Sequence, residues 1–352
     1  MYKFLLLLVL IFILQNIFVE NSYSQVNVEK NINGKIINMT TPGVLPEPTI
    51  LQLMQIDKEN ESITKVEEQI VNRDGSFEFN LENYSKDAIY RLVVDVGYYV
   101  NFYDVENNDT NNLEIAIYDR TDSLDDISLN SYIMMIPSID KNSRQAGVLS
   151  MIKIKNSGNN VFSANFSDPS LTGFNLFRFN LPDGWSNLAV ESELPVGNVI
   201  EINTGFAMSN PIPPGEYSIL TNYIINYKND NFDFDLKLPY GGENIQFLLP
   251  YDAGNITAEK FSDETEVTIG EKKYIMISGD EFKKNDIINV SFTGLPEPSF
   301  TGNVINFLEG KLYVIFLGVL FSVVLISIIM FAVIKRRNLN MEHYKWTDLK
   351  HY

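Results

Sequence analysis

The run Leu312–Ile334, LYVIFLGVLFSVVLISIIMFAVI, contains no charged residue. A bilayer core is ~30 Å thick and an α-helix rises ~1.5 Å per residue, so roughly 20 apolar residues cross it. This run meets that length with room for tilt. A helix buried in a soluble core rarely lacks a polar face over such a length. The sequence therefore predicts one C-terminal transmembrane helix over 312–334, with a large block before it and a short tail after it.

Orientation follows from charge. Lys335, Arg336 and Arg337 directly follow the span, and positive residues beside a span end favour the cytoplasmic side. The tail 335–352 carries five Lys/Arg against Glu342 and Asp348. At the other end, Lys3 precedes the apolar run Phe4–Leu14, and Ser22-Tyr23-Ser24 offers a small-x-small cleavage pattern before Gln25. That is the layout of a signal peptide over 1–24. Both ends predict a single-pass protein of the cell membrane. Residues 25–310 form an N-terminal ectodomain outside, residues 299–311 link it to the span, and the C-terminal tail is cytoplasmic.

Composition removes several chemistries from that ectodomain. The chain has no cysteine, and its two histidines, His343 and His351, both lie in the tail. Disulfides, thiolate metal sites, Cys nucleophiles, Ser-His-Asp catalysis and the usual zinc sites are thereby excluded from 25–310. Those residues carry 42 Asp/Glu against 20 Lys/Arg. So acidic a surface repels nucleic acid and tolerates cations or basic partners. Seven Asn-x-Ser/Thr sequons occur there, Asn38-Met39-Thr40 and Asn289-Val290-Ser291 among them, and serve as acceptors only in a host that glycosylates.

Between Gln25 and Glu309 long helical periodicity is absent. Short alternating runs rich in Ile, Val, Tyr and Phe recur, punctuated by Gly, Pro, Asn and Asp, which predicts an all-β ectodomain of tandem antiparallel β-sandwiches. The first block spans 25–118. It contains Gly34-Lys35-Ile36-Ile37-Asn38, the strand Thr49–Ile56, the turn Asn72-Arg73-Asp74-Gly75 leading into Ser76-Phe77-Glu78-Phe79, the strand Tyr90–Val96 with Gly97-Tyr98-Tyr99, and Leu113–Tyr118. Asp-Gly supplies the positive φ of a tight hairpin, and Phe77 and Phe79 share a face opposite Glu78. This order resembles the carboxypeptidase regulatory-like domain, a transthyretin-type seven-stranded sandwich. The resemblance implies a non-catalytic accessory or structural module and carries over no catalytic residue.

Residues 119–127 are polar. Asp119, Asp122, Asp125 and Asp126 are weighed there as calcium ligands, but no spacing matches a calcium loop, so the stretch reads as a solvated linker. The second block, 128–298, holds expected strands at 131–136, 147–155, 175–180, 198–202, 217–227, 232–238, 244–249, 273–277 and 287–292. It is either one sandwich with additions or two subdomains divided near 239. Asn229, Asn231, Asp233 and Asp235 mimic a calcium loop, yet the required Gly is missing and Tyr240 stands at the terminal Glu position. Trp185 reads as a core or sheet-edge plug in preference to a binding aromatic. The elements Leu181-Pro182-Asp183-Gly184, Pro213-Pro214-Gly215, Leu238-Pro239-Tyr240 and Gly294-Leu295-Pro296 resemble those of membrane-anchored bacterial or archaeal proteins that place a second β-domain after a regulatory-like one. That resemblance implies architecture only.

The expectation is a non-enzymatic, membrane-anchored protein whose sandwiches engage a protein partner outside the cytoplasm. A calcium- or carbohydrate-binding ectodomain and a glycosidase built on paired carboxylates stand behind it. No catalytic, cofactor-binding or metal-ligating residue is singled out. The functional positions named are Lys335, Arg336 and Arg337, which set the topology against the lipid bilayer.

Overall fold

The computed structural model describes residues 29–82, 84–105, 110–166 and 175–298, with two single helical positions, Leu320 and Met330. The leader 1–24, the linker 299–311, the run 312–334 apart from those two positions, and the tail with Lys335, Arg336 and Arg337 lie outside the described residues. Among the described residues no helix is long and apolar enough to cross a membrane. Those from 29 to 298 form an all-β, sandwich-like protein of several sheets. Contacts divide the chain into two units, each described by itself below.

The first unit comprises 1–122, 158–167 and 210–214. Its strands are β1 (Lys30–Asn38), β2 (Ile50–Asp57), β3 (Ile63–Ile70), β4 (Ser76–Leu81), β5 (Ala88–Asp95), β6 (Val100–Val105), β7 (Leu113–Ile117) and β8 (Arg120–Thr121). One sheet runs β4-β1-β7 and the other β3-β2-β5-β6. Alternation decides which faces meet. Phe77, Phe79 and Leu81 of β4 are buried while Glu78 and Asn80 are exposed, and Ile32 and Ile36 of β1 join them. Leu51, Leu53, Tyr90, Leu92 and Val94 come from the other sheet, so both sheets close on one core. The Asp-Gly turn is present, with Gly75 at φ +84 and Asp74 accepting from Ser76 N at 3.1 Å.

The chain then enters the second unit (123–157, 168–209 and 215–352) through β9 (Ile127–Asp140) and β10 (Gln145–Asn156). It returns to the first unit for β11 (Val161–Phe162), which pairs with β8. The second unit continues with β12 (Phe177–Asn180), β13 (Ser186–Ser192), β14 (Val199–Ile202), β15 (Gly205–Met208), β16 (Gly215–Asn226), β17 (Phe232–Leu238), β18 (Gly242–Pro250), β19 (Asn255–Ala258), β20 (Thr265–Ile269), β21 (Lys272–Phe282) and β22 (Asp286–Thr293). Seven strands form one sheet in the order β13-β16-β10-β9-β18-β21-β20. Two three-stranded sheets, β12-β15-β14 and β17-β22-β19, complete the unit. The large sheet runs unbroken past position 239, because β18 pairs with β9, so the stretches before and after 239 share a sheet.

The residues read as a linker, 119–127, carry β8 and the first residue of β9. The sandwiches expected to be antiparallel also contain three parallel ladders, β1–β7, β8–β11 and β9–β18. Parallel neighbours need a long connection. Here the chain supplies it by building β2, β3, β5 and β6 of the opposite sheet before β7 joins β1.

Candidate functional site

The most exposed strand of the first unit is β3. The hairpin that delivers it is closed by Asp57, whose carbonyl accepts from Glu61 N at 3.0 Å and whose carboxylate accepts from Glu59 N at 2.8 Å. Among the described residues β3 ends its sheet: β2 lies on one side and no strand on the other. Seven of its eight residues are exposed, and none enters the unit's core. Three are large and apolar, with Ile63 at 66%, Val66 at 40% and Ile70 at 73% exposure.

The register explains which side chains share a face. Leu51 and Leu53 point to the core and pair with Gln69 and Glu67, so those two lie on the inner side of β3. The ladder shifts at Val66, which is a β-bulge: Leu53 pairs with Glu67, and Met54 with Lys65. The outer face of β3 therefore carries Ile63, Lys65, Glu68 and Ile70. Lys65 Nζ donates to Glu68 at 3.1 Å, and Gln52 Nε2 donates to the same carboxylate at 2.7 Å. These bonds hold the Glu68 carboxyl below its usual range, the Lys65 bond most strongly. On the inner side, Gln69 Nε2 is buried with no hydrogen-bond partner among the described residues.

The second unit contains a groove of about 680 Å³ walled by β12, β17 and the turn before β22. Asn180 fastens its two sides by donating to Asp235 O at 2.6 Å and accepting from Lys237 N at 2.8 Å. Tyr240 accepts from Arg178 N at 2.8 Å, and its ring lies 4.5 Å from that of Phe177. Burial pushes the Tyr240 phenol up to about 12. At neutral pH it keeps its proton. Among the described residues Asp286 is the one carboxylate that lines the groove.

The residues weighed in the sequence are dispersed. Asp119 accepts from Asn38 Nδ2 at 2.8 Å and from Thr41 Oγ1 at 2.5 Å, which ties β1 to the start of β8. Asp126 O accepts from Ser157 N at 3.0 Å. Asp233 and Asp235 lie on the exposed face of β17 and accept from Ser291 and Asn289. Among the described residues no group of three or more His, Asp or Glu side chains is placed to share a metal ion. Trp185 is half-buried, its N–H closing a turn onto Pro182 O at 3.3 Å. Asn38, read as a sequon, is 1% exposed and also donates to Val44 O at 2.8 Å, so no glycan fits there in the folded chain. Sequence reasoning passed over β3 because ITKVEEQI shows no steady alternation. Its available signals were the β-branched Ile63, Thr64 and Val66 and the polar hairpin after Thr49–Ile56.

No family model matches the chain, and no curated protein does. Among solved structures, the chain is similar to an M1 zinc metallopeptidase from Deinococcus radiodurans, at 6% identity, TM-score 0.30, and coverage of 47% of this chain and 42% of that one. A mutant of that enzyme gives 7% identity and TM-score 0.31 over the same shares. A two-domain M1 zinc metallopeptidase bound to L-tryptophan gives 8% and 0.29, again over 47% and 42%. The chain thus spans less than half the length of these structures, and likeness of this degree assigns no activity.

Proposed function

We propose that this chain is a non-catalytic, single-pass membrane protein that presents two β-sandwich units outside the cytoplasm for protein interaction. The observation that carries the reading is β3, an edge strand exposed on both faces that offers Ile63, Val66 and Ile70 to solvent. Such an edge is a template for strand addition, in which main-chain bonds supply affinity and side chains supply selectivity. In this reading 1–24 is a signal peptide, 312–334 the anchor, and Lys335, Arg336 and Arg337 hold the tail inside. The first unit, with three strands facing four across one core, supports the resemblance to a carboxypeptidase regulatory-like sandwich.

A photo-crosslinking residue at Ile70, in the full chain in intact cells, tests the reading. A discrete protein adduct is expected there, and none from the same probe at exposed Lys260 of the second unit. External protease is expected to remove the ectodomain and spare a tag on the tail. Equal labelling at the two positions, or protection of the ectodomain, overturns the reading.

A further inference from the structure

We propose that β3 pairs with β3 of a second copy of this chain, antiparallel and about a two-fold axis between Val66 and Glu67. This deepens the reading above and rests on it.

The argument is the symmetry of the strand. Outward-facing residues along β3 are Ile63, Lys65, Glu68 and Ile70, spaced two, three and two apart because the bulge at Val66 inserts one residue at the middle. Read backwards, the spacing is unchanged. Antiparallel pairing about the centre sets Ile63 opposite Ile70 of the second copy, and Lys65 opposite Glu68 of the second copy. The same two pairs recur across the axis, which is the self-complementarity of an isologous interface. Apolar meets apolar at both ends and opposite charges meet on either side of the axis, the cross-strand pairings that stabilise a sheet. On the inner side Gln69, whose amide nitrogen lacks a partner among the described residues, faces Thr64 of the second copy.

Strand β3 carries two features that commonly guard an edge, the bulge at Val66 and the inward-facing Glu67, but its outer charges are of both signs. A lone inward lysine or a row of like charges repels a second strand. Here Lys65 and Glu68 already bond one another at 3.1 Å, with side chains 54% and 42% exposed. That exposed pair can exchange for two equivalent pairs between copies at little cost. In an ectodomain with so large an acidic excess, outer charges that cancel lessen the repulsion between two copies, leaving Glu67 as the uncompensated charge of the strand. Confinement to a membrane would raise the effective concentration of a contact this small.

The test uses the full chain in native membranes. It has no cysteine, so Val66→Cys supplies a single reporter, and the two reporters sit beside each other across the proposed axis. Oxidation with copper phenanthroline is expected to give a disulfide-linked dimer. Ile269→Cys, on exposed edge strand β20, is expected to give none. Adding Lys65→Glu places glutamates against glutamates, and Glu68→Lys places lysines against lysines. Either change alone should lower the dimer about tenfold. Coexpressing the two variants with distinguishable tags should restore dimer only between unlike chains. All these positions are solvent-exposed, and retained circular dichroism excludes misfolding as the cause. A V66C chain that links no more than the β20 control, or charge variants that link as well as the parent, overturns the inference. Adducts of Val66→Cys only with a foreign protein overturn it while leaving the interaction reading intact. Absence of any adduct overturns both.

Discussion

Asn38 shows how much one buried amide can hold. Its oxygen accepts from Thr40 N at 3.0 Å and Thr41 N at 3.1 Å, while its nitrogen donates to Val44 O and Asp119 Oδ1 at 2.8 Å each. Asn38→Ala leaves these groups unpaired in a site that is 1% exposed. We expect a loss of ~2–4 kcal/mol, read by urea unfolding of the first unit. Buried phenols set a second residue-scale outcome. Burial pushes Tyr132, Tyr240 and Tyr98 each up to about 12. A phenol ionises near ~10 when unfolded, so the folded state holds its proton more tightly. The stability it contributes is full below pH ~10 and is lost as pH rises from there toward the folded value. For fully enclosed Tyr132 the slope approaches ~1.4 kcal/mol per pH unit; partly exposed Tyr98 contributes less because solvent screens it. Tyrosinate absorbance is expected to rise together with unfolding across this window. Ionisation of every tyrosine while the circular dichroism stays native would refute it.

At the scale of elements, β1 is the strand on which the first unit turns, because it pairs antiparallel with β4 and parallel with β7. Gly34 makes that double pairing fit. A Cβ there would lie 2.2 Å from Leu113 O and 2.8 Å from Leu113 Cβ, far inside contact. Gly34→Val must push β7 away, at a cost of ~2–3 kcal/mol or more. In differential scanning calorimetry we expect the first unit's transition to fall while that of the second unit keeps its temperature; a fall of both by the same amount would show that they melt as one. The strands legible from sequence are those whose two faces differ chemically. Phe232–Leu238 was bounded to the residue because Phe, Phe, Leu and Leu alternate with Asp, Asp and Lys, and every apolar member is buried. Thr49–Ile56, Gly147–Lys155 and Ile287–Phe292 were found within a residue or two for the same reason. Strand β3 was missed because neither of its faces is buried and the bulge breaks its period. Strands β8 and β11, two residues each, hold no period at all, and their pairing joins residues forty-one positions apart. The strand most suited to binding was thus the least legible, since burial writes alternation into a sequence and an exposed edge is free of that constraint.

The whole molecule is not a simple succession of blocks. The chain leaves the first unit after 122, returns at 158, leaves again after 167, and comes back once more over 210–214. These returns are structural members of the first unit. Val161 N–H donates to Asp119 O at 2.9 Å, and Phe162 and Ile212 exchange two backbone bonds at 3.0 and 2.9 Å. Val161, Phe162 and Ile212 are each 0% exposed, and Val161 belongs to the core shared by the two sheets. A fragment beginning at 128 keeps all these residues but loses β8, which pairs with β11, and the core that Val161 enters. Fully burying side chains of this size contributes ~1.5–3 kcal/mol each, so the fragment must either expose them or cover them with another molecule. The second unit has its own seven-stranded sheet, with half-buried Phe261 between buried Phe247 and Phe282 in tilted contacts at 5.4 and 5.5 Å, and the cut removes only Ile127 from its strands. We therefore expect residues 128–298 alone to retain β-rich circular dichroism yet bind 1-anilinonaphthalene-8-sulfonate and aggregate with concentration, both effects suppressed by replacing Val161, Phe162 and Ile212 with serine. A parent fragment that stays monomeric and silent to the dye would refute this.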